Sequence, residues 1–304
     1  MQISEEHPVL IAGRTGQVAR SLVDEARTAA LPVIALGRPE LDIGDPQSIG
    51  RAVAAIAPSA IVNAAAYTSV DKAESDVEGA FAINRDGAGW LAAAAAAARI
   101  PFIHLSTDYV FDGSKTTPYV EEDATGPLGV YGWSKLEGEA VVQGACPSAL
   151  VLRTSWIYSP YGQNFVRTML SLAETRDIVR VVDDQHGSPT AAGDLAIAIL
   201  GLTQSILKST AQGGVYHLTA PGSTTWYDLA AAIFAGWKER GRRVPTLEPI
   251  STSGYPTAAR RPANSRLDCT KIHRVYGVRL PPWRASLAEC LDALASHQAG
   301  REQC

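Results

Sequence analysis

Val9-Leu10-Ile11-Ala12-Gly13-Arg14-Thr15-Gly16-Gln17-Val18-Ala19 is the stretch on which the fold turns. Four apolar residues read as a short buried strand. Glycines then interrupt it, and Leu22, Val23 and Ala26 continue at helical spacing. The glycine spacing is G-x-x-G-x-x-A, shorter than the G-x-G-x-x-G of many dinucleotide sites. Gly13 permits the tight turn, and Gly16 lets a pyrophosphate approach backbone N–H groups at the helix N-terminus. Ala19 is small enough for close helix–strand packing. A βα turn that binds nothing is the other reading of these residues.

Further strands follow in the same style. Val33–Leu36 ends in Gly37-Arg38, where selectivity for the adenosine ribose is usually read. No acid stands at that strand tip, and Arg38, with Arg14, could form the charged fork that a 2′-phosphate wants. NADPH is therefore favoured over NADH, with Asp42 as the reason for keeping NADH open. Pro46 to Ala57 reads as a helix and Ala60–Asn63 as the next strand, ending in the small residues Ala64-Ala65-Ala66 and then Tyr67-Thr68. A long helical region is expected from Ser75 through the alanine run to Pro101, followed by strand Phe102 to Ser106. Such β-α repetition, with polar residues at the strand ends, predicts an α/β fold: a doubly wound parallel sheet with its ligand at those ends.

Ser106 and Thr107 stand at the end of that strand, both placed to hydrogen-bond a substrate carbonyl oxygen. The loop Asp112 to Pro127 reads as surface connection. The helix after it carries Tyr131-Gly132-Trp133-Ser134-Lys135. A Tyr and a Lys four apart share one helix face. A free phenol, with a pKa of roughly 10, is a poor acid–base catalyst near neutrality, and an adjacent ammonium favours its phenolate.

The composition removes other classes. The 304 residues are 46% hydrophobic and 19% charged, with a net charge of −4, so no basic footprint points to nucleic acid. No stretch predicts a membrane span or signal peptide, and cytoplasmic localisation is expected. Cys146, Cys269, Cys290 and Cys304 are widely spaced, which predicts reduced thiols. The six His are equally scattered, so no metal is expected, and His186 and His217 read as structural.

With Gly13–Ala19, Ser106–Phe111 and Tyr131–Lys135 in this order, the chain resembles the extended short-chain dehydrogenase/reductases, and within them the dTDP-4-dehydrorhamnose reductases. The resemblance continues through Asn63–Thr68, Val70–Glu74, Arg153–Tyr158, Asn164-Phe165, Asp184–Thr190, Thr224–Tyr227 and Ala259–Ser265. It implies reduction of the C4 ketone of a dTDP-4-keto-6-deoxysugar by hydride from a nicotinamide. Tyr131 would give the proton, Lys135 would hold the nicotinamide ribose and depress the Tyr pKa, and Thr107 would hydrogen-bond the reacting oxygen. On the substrate side it implies Asp108 and Trp156 at the sugar, with Asn164 and Arg261 as further contacts; for Arg261 a structural salt bridge is the equal alternative. On the cofactor side it implies Gly13, Arg14, Thr15, Gly16, Gln17 and Val18 at the pyrophosphate turn and Gly37 and Arg38 near the ribose. Asp42 and Ile43 would lie near the adenine, and Ala65, Ala66, Tyr67, Thr68 and Leu105 along the cofactor's path.

The magnesium ion through which some members dimerise is not carried over, because Ser21 stands where they have an acid; a homodimer stays open. A smaller, discontinuous substrate domain is expected, about residues 156–185 plus 221–304. Residues 1–155 plus about 186–220 would form the dinucleotide-binding domain. Two rivals remain. One is a nucleotide-sugar epimerase or dehydratase of the same fold. The other is a non-catalytic NADP-binding subunit like the β subunit of methionine adenosyltransferase. Tyr109, where dehydratases usually carry an acid, speaks against dehydration, and Thr107, Tyr131 and Lys135 together favour an enzyme.

Overall fold

The structure is a computed structural model and describes residues 2–208 and 212–302. Cys304, one of the thiols expected to be reduced, lies outside them; Cys146, Cys269 and Cys290 are free. The chain begins β1 (Val9–Ala12), α1 (Gln17–Thr28), β2 (Val33–Leu36), α2 (Pro46–Ile56) and β3 (Ala60–Asn63). Then come α3 (Val70–Ala73), α4 (Val77–Phe81), α5 (Ala88–Ala98), β4 (Phe102–Thr107), α6 (Val130–Ala145), β5 (Leu150–Thr154) and β6 (Ile157–Tyr158). The second half holds α7 (Phe165–Thr175), β7 (Ile178–Val182), β8 (His186–Gly187), β9 (Thr190–Ala191), α8 (Ala192–Lys208) and β10 (Gly214–His217). It ends with β11 (Thr224–Thr225), α9 (Trp226–Glu239), β12 (Thr246–Ile250), α10 (Thr270–Tyr276) and α11 (Trp283–Glu302).

Six parallel strands form the main sheet in the order β2-β1-β3-β4-β5-β10. Side chains alternate across it, as a period of two requires. Val9, Ile11, Val62, Ile103, Leu150 and Leu152 bury themselves with Leu22 of α1 and Leu195 and Ile199 of α8. Leu10, Ile61, Phe102 and Val151 face Ile49 of α2, Leu91 and the alanines of α5, and Val142 of α6. Helices cover both faces, so the expected doubly wound sheet is the observed one. From β1 the chain moves out to β2, and from β3 it builds the opposite way. The reversal opens a crevice at the strand ends between β1 and β3, where open α/β sheets take their ligands.

The second half adds a parallel pair, β7 with β12, and the short pairs β8–β11 and β6–β9. The long helical region expected from Ser75 differs in one respect. It begins at Val77 and passes through a π-helical segment, Ala82–Gly87, before α5. The loop from Asp112 to Pro127 is more than surface connection. Tyr119 is buried with Phe111, Val110 and Leu267, and its N–H donates to the Arg266 carbonyl at 2.8 Å. Among the described residues no helix is long and apolar enough to cross a membrane.

Candidate active site

Helix α6 is pressed onto its neighbours where it carries Tyr131 and Lys135. A Cβ on Gly132 would collide with the carbonyl oxygen of Tyr109, and one on Gly138 with that of Asn84. Its first N–H groups need acceptors, and the Val130 N–H finds one in Oε1 of Glu74 at 2.8 Å. Ser134 donates to the Tyr131 carbonyl at 2.9 Å and receives Nδ2 of Asn84 at 2.9 Å. Asn84 also accepts the Tyr67 N–H at 2.8 Å and donates to the Tyr67 carbonyl at 3.1 Å. One amide of the π-helical segment thus ties the loop after β3 to the helix of Tyr131; π-bulges of this kind often lie at functional sites.

The two hydroxyls at the end of β4 have different fates. Ser106 donates to Oε1 of Glu139 at 2.5 Å, and Glu139 is held by Arg153 through Nη2 at 2.7 Å and Nε at 2.9 Å. Ser106 is therefore committed to a buried ion pair. Thr107 is close enough to the Tyr131 phenol for its hydroxyl to act on that phenol's pKa, lowering it. It also donates to Oδ1 of Asp108 at 3.0 Å and accepts the Tyr109 N–H at 3.2 Å. Oδ2 of Asp108 has no partner, and burial pushes this carboxyl up to about 7 despite hydrogen bonds from neighbouring hydroxyls.

Burial likewise pushes the Tyr131 phenol up to about 12, with the Thr107 hydrogen bond acting downward and the Asp108 charge upward. The expectation that Lys135 depresses this phenol has no counterpart here. The Lys135 side chain, 2% exposed, instead donates to the Leu105 carbonyl at 2.6 Å. Tyr109 packs edge-on to Tyr131, ring centroids 5.8 Å apart, and burial raises its own phenol as well.

Among the residues expected at the cofactor, Gly13 has φ +116°, which glycine adopts freely. A Cβ there would lie 3.3 Å from the backbone of Ala64 and Ala65, so the two strand-end turns meet at this point. Gly16 opens α1 with clear space around its Cβ position, and no side chain caps the helix. That leaves N–H groups free for a pyrophosphate. Thr15 is exposed in the turn, and Val18 is buried under it. Ala65, Ala66 and Tyr67 are half-buried along the crevice, with Thr68 exposed beyond them. Ile43 is buried in the α2 layer, and Asp42 accepts the Gly44 N–H at 2.9 Å.

Arg38 is exposed after Gly37, while Arg14 pairs with Glu40 at 2.6 Å, the side chains 43% and 49% exposed. The strand tip therefore does have an acid nearby, one that the linear reading did not find. An exposed pair of this kind is worth about 0–1 kcal/mol, so a phosphate competes for Arg14 at little loss. The open α1 terminus and this basic pair fit a phosphorylated dinucleotide.

The residues expected at the substrate are placed less uniformly. Arg261 grips Asp71 at 2.8 Å, half-buried beside Tyr109, which realises the structural salt bridge. A narrow cleft nearby is lined by Tyr131, Gly132, Tyr109, Leu128, Ala259 and Arg260, among others. Trp156 takes φ +46°, a conformation rare outside glycine, and stacks on Trp226 with centroids 3.5 Å apart. Gly187 packs against its indole ring so closely that a Cβ there would overlap it. Asn164 does not present a free amide. Its Oδ1 caps α7 by accepting the Arg167 N–H at 3.1 Å, and its Nδ2 donates to Gln17 Oε1 and the Ser159 carbonyl, each at 2.9 Å. Gln17 is thereby anchored to the segment before α7.

Glu74, Asn84, His104, Asn63 and the Glu139–Arg153 pair escaped the sequence reading. A spacing of four from Lys135 to Glu139 was available as a signal; Glu74 reaches Val130 across 56 residues, Asn84 reaches Ser134 across 50, His104 reaches Lys135 across 31 and Asn63 reaches His104 across 41, and these gave none.

The family described as the RmlD substrate binding domain matches residues 7–296. The dTDP-4-dehydrorhamnose reductase of Sinorhizobium fredii is 48% identical over 286 residues, covering 93% of this chain and 96% of its own. A crystal structure of a dTDP-4-dehydrorhamnose reductase from Clostridium acetobutylicum superposes with a TM-score of 0.87 at 35% identity, covering 94% of this chain and 99% of that one. The reductase of Bacillus anthracis, solved in complex with NADP, gives 0.87 at 32% identity with the same coverage.

Proposed function

The chain belongs to the RmlD substrate binding domain family, and from that premise we infer that it is an NAD(P)H-dependent oxidoreductase. It reduces the C4 ketone of dTDP-4-dehydro-β-L-rhamnose to dTDP-L-rhamnose, a step of dTDP-rhamnose biosynthesis. The observation that carries this reading is the placement of Tyr131, Thr107 and Lys135 together at the β4 strand end beside the crevice. When bound, the dinucleotide supplies the hydride.

The residues divide the remaining work. Ketone reduction needs a proton as negative charge grows on oxygen. Burial raises the Tyr131 phenol to about 12, so it carries its proton at neutral pH, and the Thr107 hydroxyl acts in the opposite direction, toward an easier release. Thr107 hydrogen-bonds the same oxygen, and the Lys135 side chain holds the nicotinamide ribose, adding positive charge when it is an ammonium. Asp108 and Trp156 meet the sugar, with Asn164 and Arg261 as further contacts. Residues 1–155 with about 186–220 serve the dinucleotide, and about 156–185 with 221–304 the sugar nucleotide. The same reading places the enzyme in the cytoplasm, apart from nucleic acid, and leaves homodimerisation to light scattering.

The test is direct: with NADPH and the keto sugar, one NADPH should be consumed per sugar reduced. Redox-neutral turnover would point instead to an epimerase or dehydratase. Specific capture of a large synthetase without ketone reduction would point to the regulatory subunit.

NADPH is the preferred cofactor because Arg14 and Arg38 flank Gly37. Arg38→Ala should lower kcat/KM for NADPH about tenfold, one charged hydrogen bond's worth, and leave NADH nearly unchanged. Equal losses with both cofactors would take Arg38 away from the 2′-phosphate.

A further inference from the structure

Lys135 is held by two neighbours on β4 that make different demands on it. Nζ donates to the Leu105 carbonyl at 2.6 Å, while Nε2 of His104 stands 3.4 Å away. On the far side of that imidazole, Nδ1 lies 3.0 Å from Nδ2 of Asn63. The Asn63 amide has one workable orientation. Its Oδ1 accepts the Ala65 N–H at 3.1 Å, and turning the amide over would set two donors against each other there. With Nδ2 donating, Nδ1 of His104 must accept. The single proton of the neutral ring then sits on Nε2, aimed at Lys135. Burial first, and the Lys135 charge second, hold this imidazole well below the ordinary histidine range, so it is neutral.

An ammonium offers three donors and no acceptor; an uncharged amine has a lone pair. Only with the amine does the buried line close, from Asn63 through His104 and Lys135 to the Leu105 carbonyl. We propose that His104 is a positioning residue for the reduction: locked by Asn63 as the Nε2–H tautomer, it donates to Nζ and favours the uncharged amine of Lys135. Its kinetic consequence rests on the reductase reading; its geometry does not.

Other groups share the space around Lys135. Tyr131 and Glu139 flank it on α6, Ser106 lies on β4 and Arg153 on β5, while β3 contributes the uncharged Asn63. Glu139 favours the ammonium but is already engaged by Arg153 and Ser106. Burial outweighs it and brings Lys135 down to about 8. Lys135 therefore titrates close to working pH, and the His104 donor moves it in the same direction as burial.

The first test needs no substitution. In the full chain labelled with ¹⁵N-histidine, long-range ¹H–¹⁵N correlation at neutral pH should report His104 as the Nε2–H tautomer; the Nδ1–H tautomer would overturn the proposal. The second test follows kcat for keto-sugar reduction against pH. His104→Leu should carry the alkaline limb upward by about one pH unit, because one donor opposing the charged form is gone. His104→Gln, which can still accept from Asn63 and donate to Nζ, should restore it. An unmoved limb in a folded His104→Leu protein also overturns the proposal. If that variant does not fold, the tautomer decides. If the unaltered protein reduces no keto sugar, the reductase reading fails while the tautomer remains readable.

Discussion

Tyr131→Phe is expected to lower kcat by about 10²–10⁴-fold, the range that a positioned general acid supplies. The affinity for NADPH should stay within about twofold, because the phenol acts mainly in the transition state. Removing one oxygen leaves the ring packed edge-on to Tyr109, so the helix should keep its place. Thr107 keeps its bonds to Asp108 and the Tyr109 N–H. Steady-state kinetics with the keto sugar give the first quantity and NADPH fluorescence titration the second. Turnover within a factor of three of the unaltered enzyme would remove Tyr131 as the acid. A parallel loss of NADPH affinity would instead mean that the substitution had disturbed the crevice.

Glu139→Leu should have the largest effect on stability, on the order of 3–5 kcal/mol, by leaving Arg153 charged and uncompensated in the interior. The two side chains are 4% and 5% exposed, so water cannot replace the lost partner. Arg153 would keep only its contact over the Phe111 ring, 5.1 Å from the centroid, and its Nη1 already lacks a hydrogen-bond partner. Thermal unfolding should fall by on the order of 10 °C, given about 2–4 °C per kcal/mol in a chain of this size. Combining it with Arg153→Met should recover most of that loss, since exchanging a whole buried pair for packed apolar groups is often neutral. If the double variant is no more stable than the single one, packing rather than uncompensated charge carries the cost. In the single variant the Ser106 hydroxyl also loses its carboxylate partner and could turn toward the substrate space. Activity surviving in a Thr107→Ala, Glu139→Leu protein would reveal that.

The elements themselves were legible along the chain. Val9–Ala12 and Ala60–Asn63 announce themselves as strands buried on both faces, and Gly13 with Gly16 marks where backbone N–H groups are left open. The four-residue step from Tyr131 to Lys135 places both on one helix face whatever else the chain does. These are properties of period and local conformation, and each depends only on residues a few positions away.

What lay beyond reach were choices made between distant partners. Ser106 and Thr107 are equal candidates in the sequence. Glu139, 33 residues on, takes the Ser106 hydroxyl and leaves Thr107 to the phenol. The amide of Asn164 looks free until Gln17, 147 residues away, claims it. Trp156 looks like an exposed contact until Trp226 covers one of its faces. Lys135 looks like the regulator of Tyr131 until Leu105 and His104 take hold of its nitrogen. A buried polar atom must find a partner, and which of several candidates it finds depends on how strands and helices far apart in the chain are packed. Period and propensity determined the sheet, the glycine turn and the Tyr–Lys face; the tertiary packing decided which hydroxyl, amide and amine inside them remained free to act.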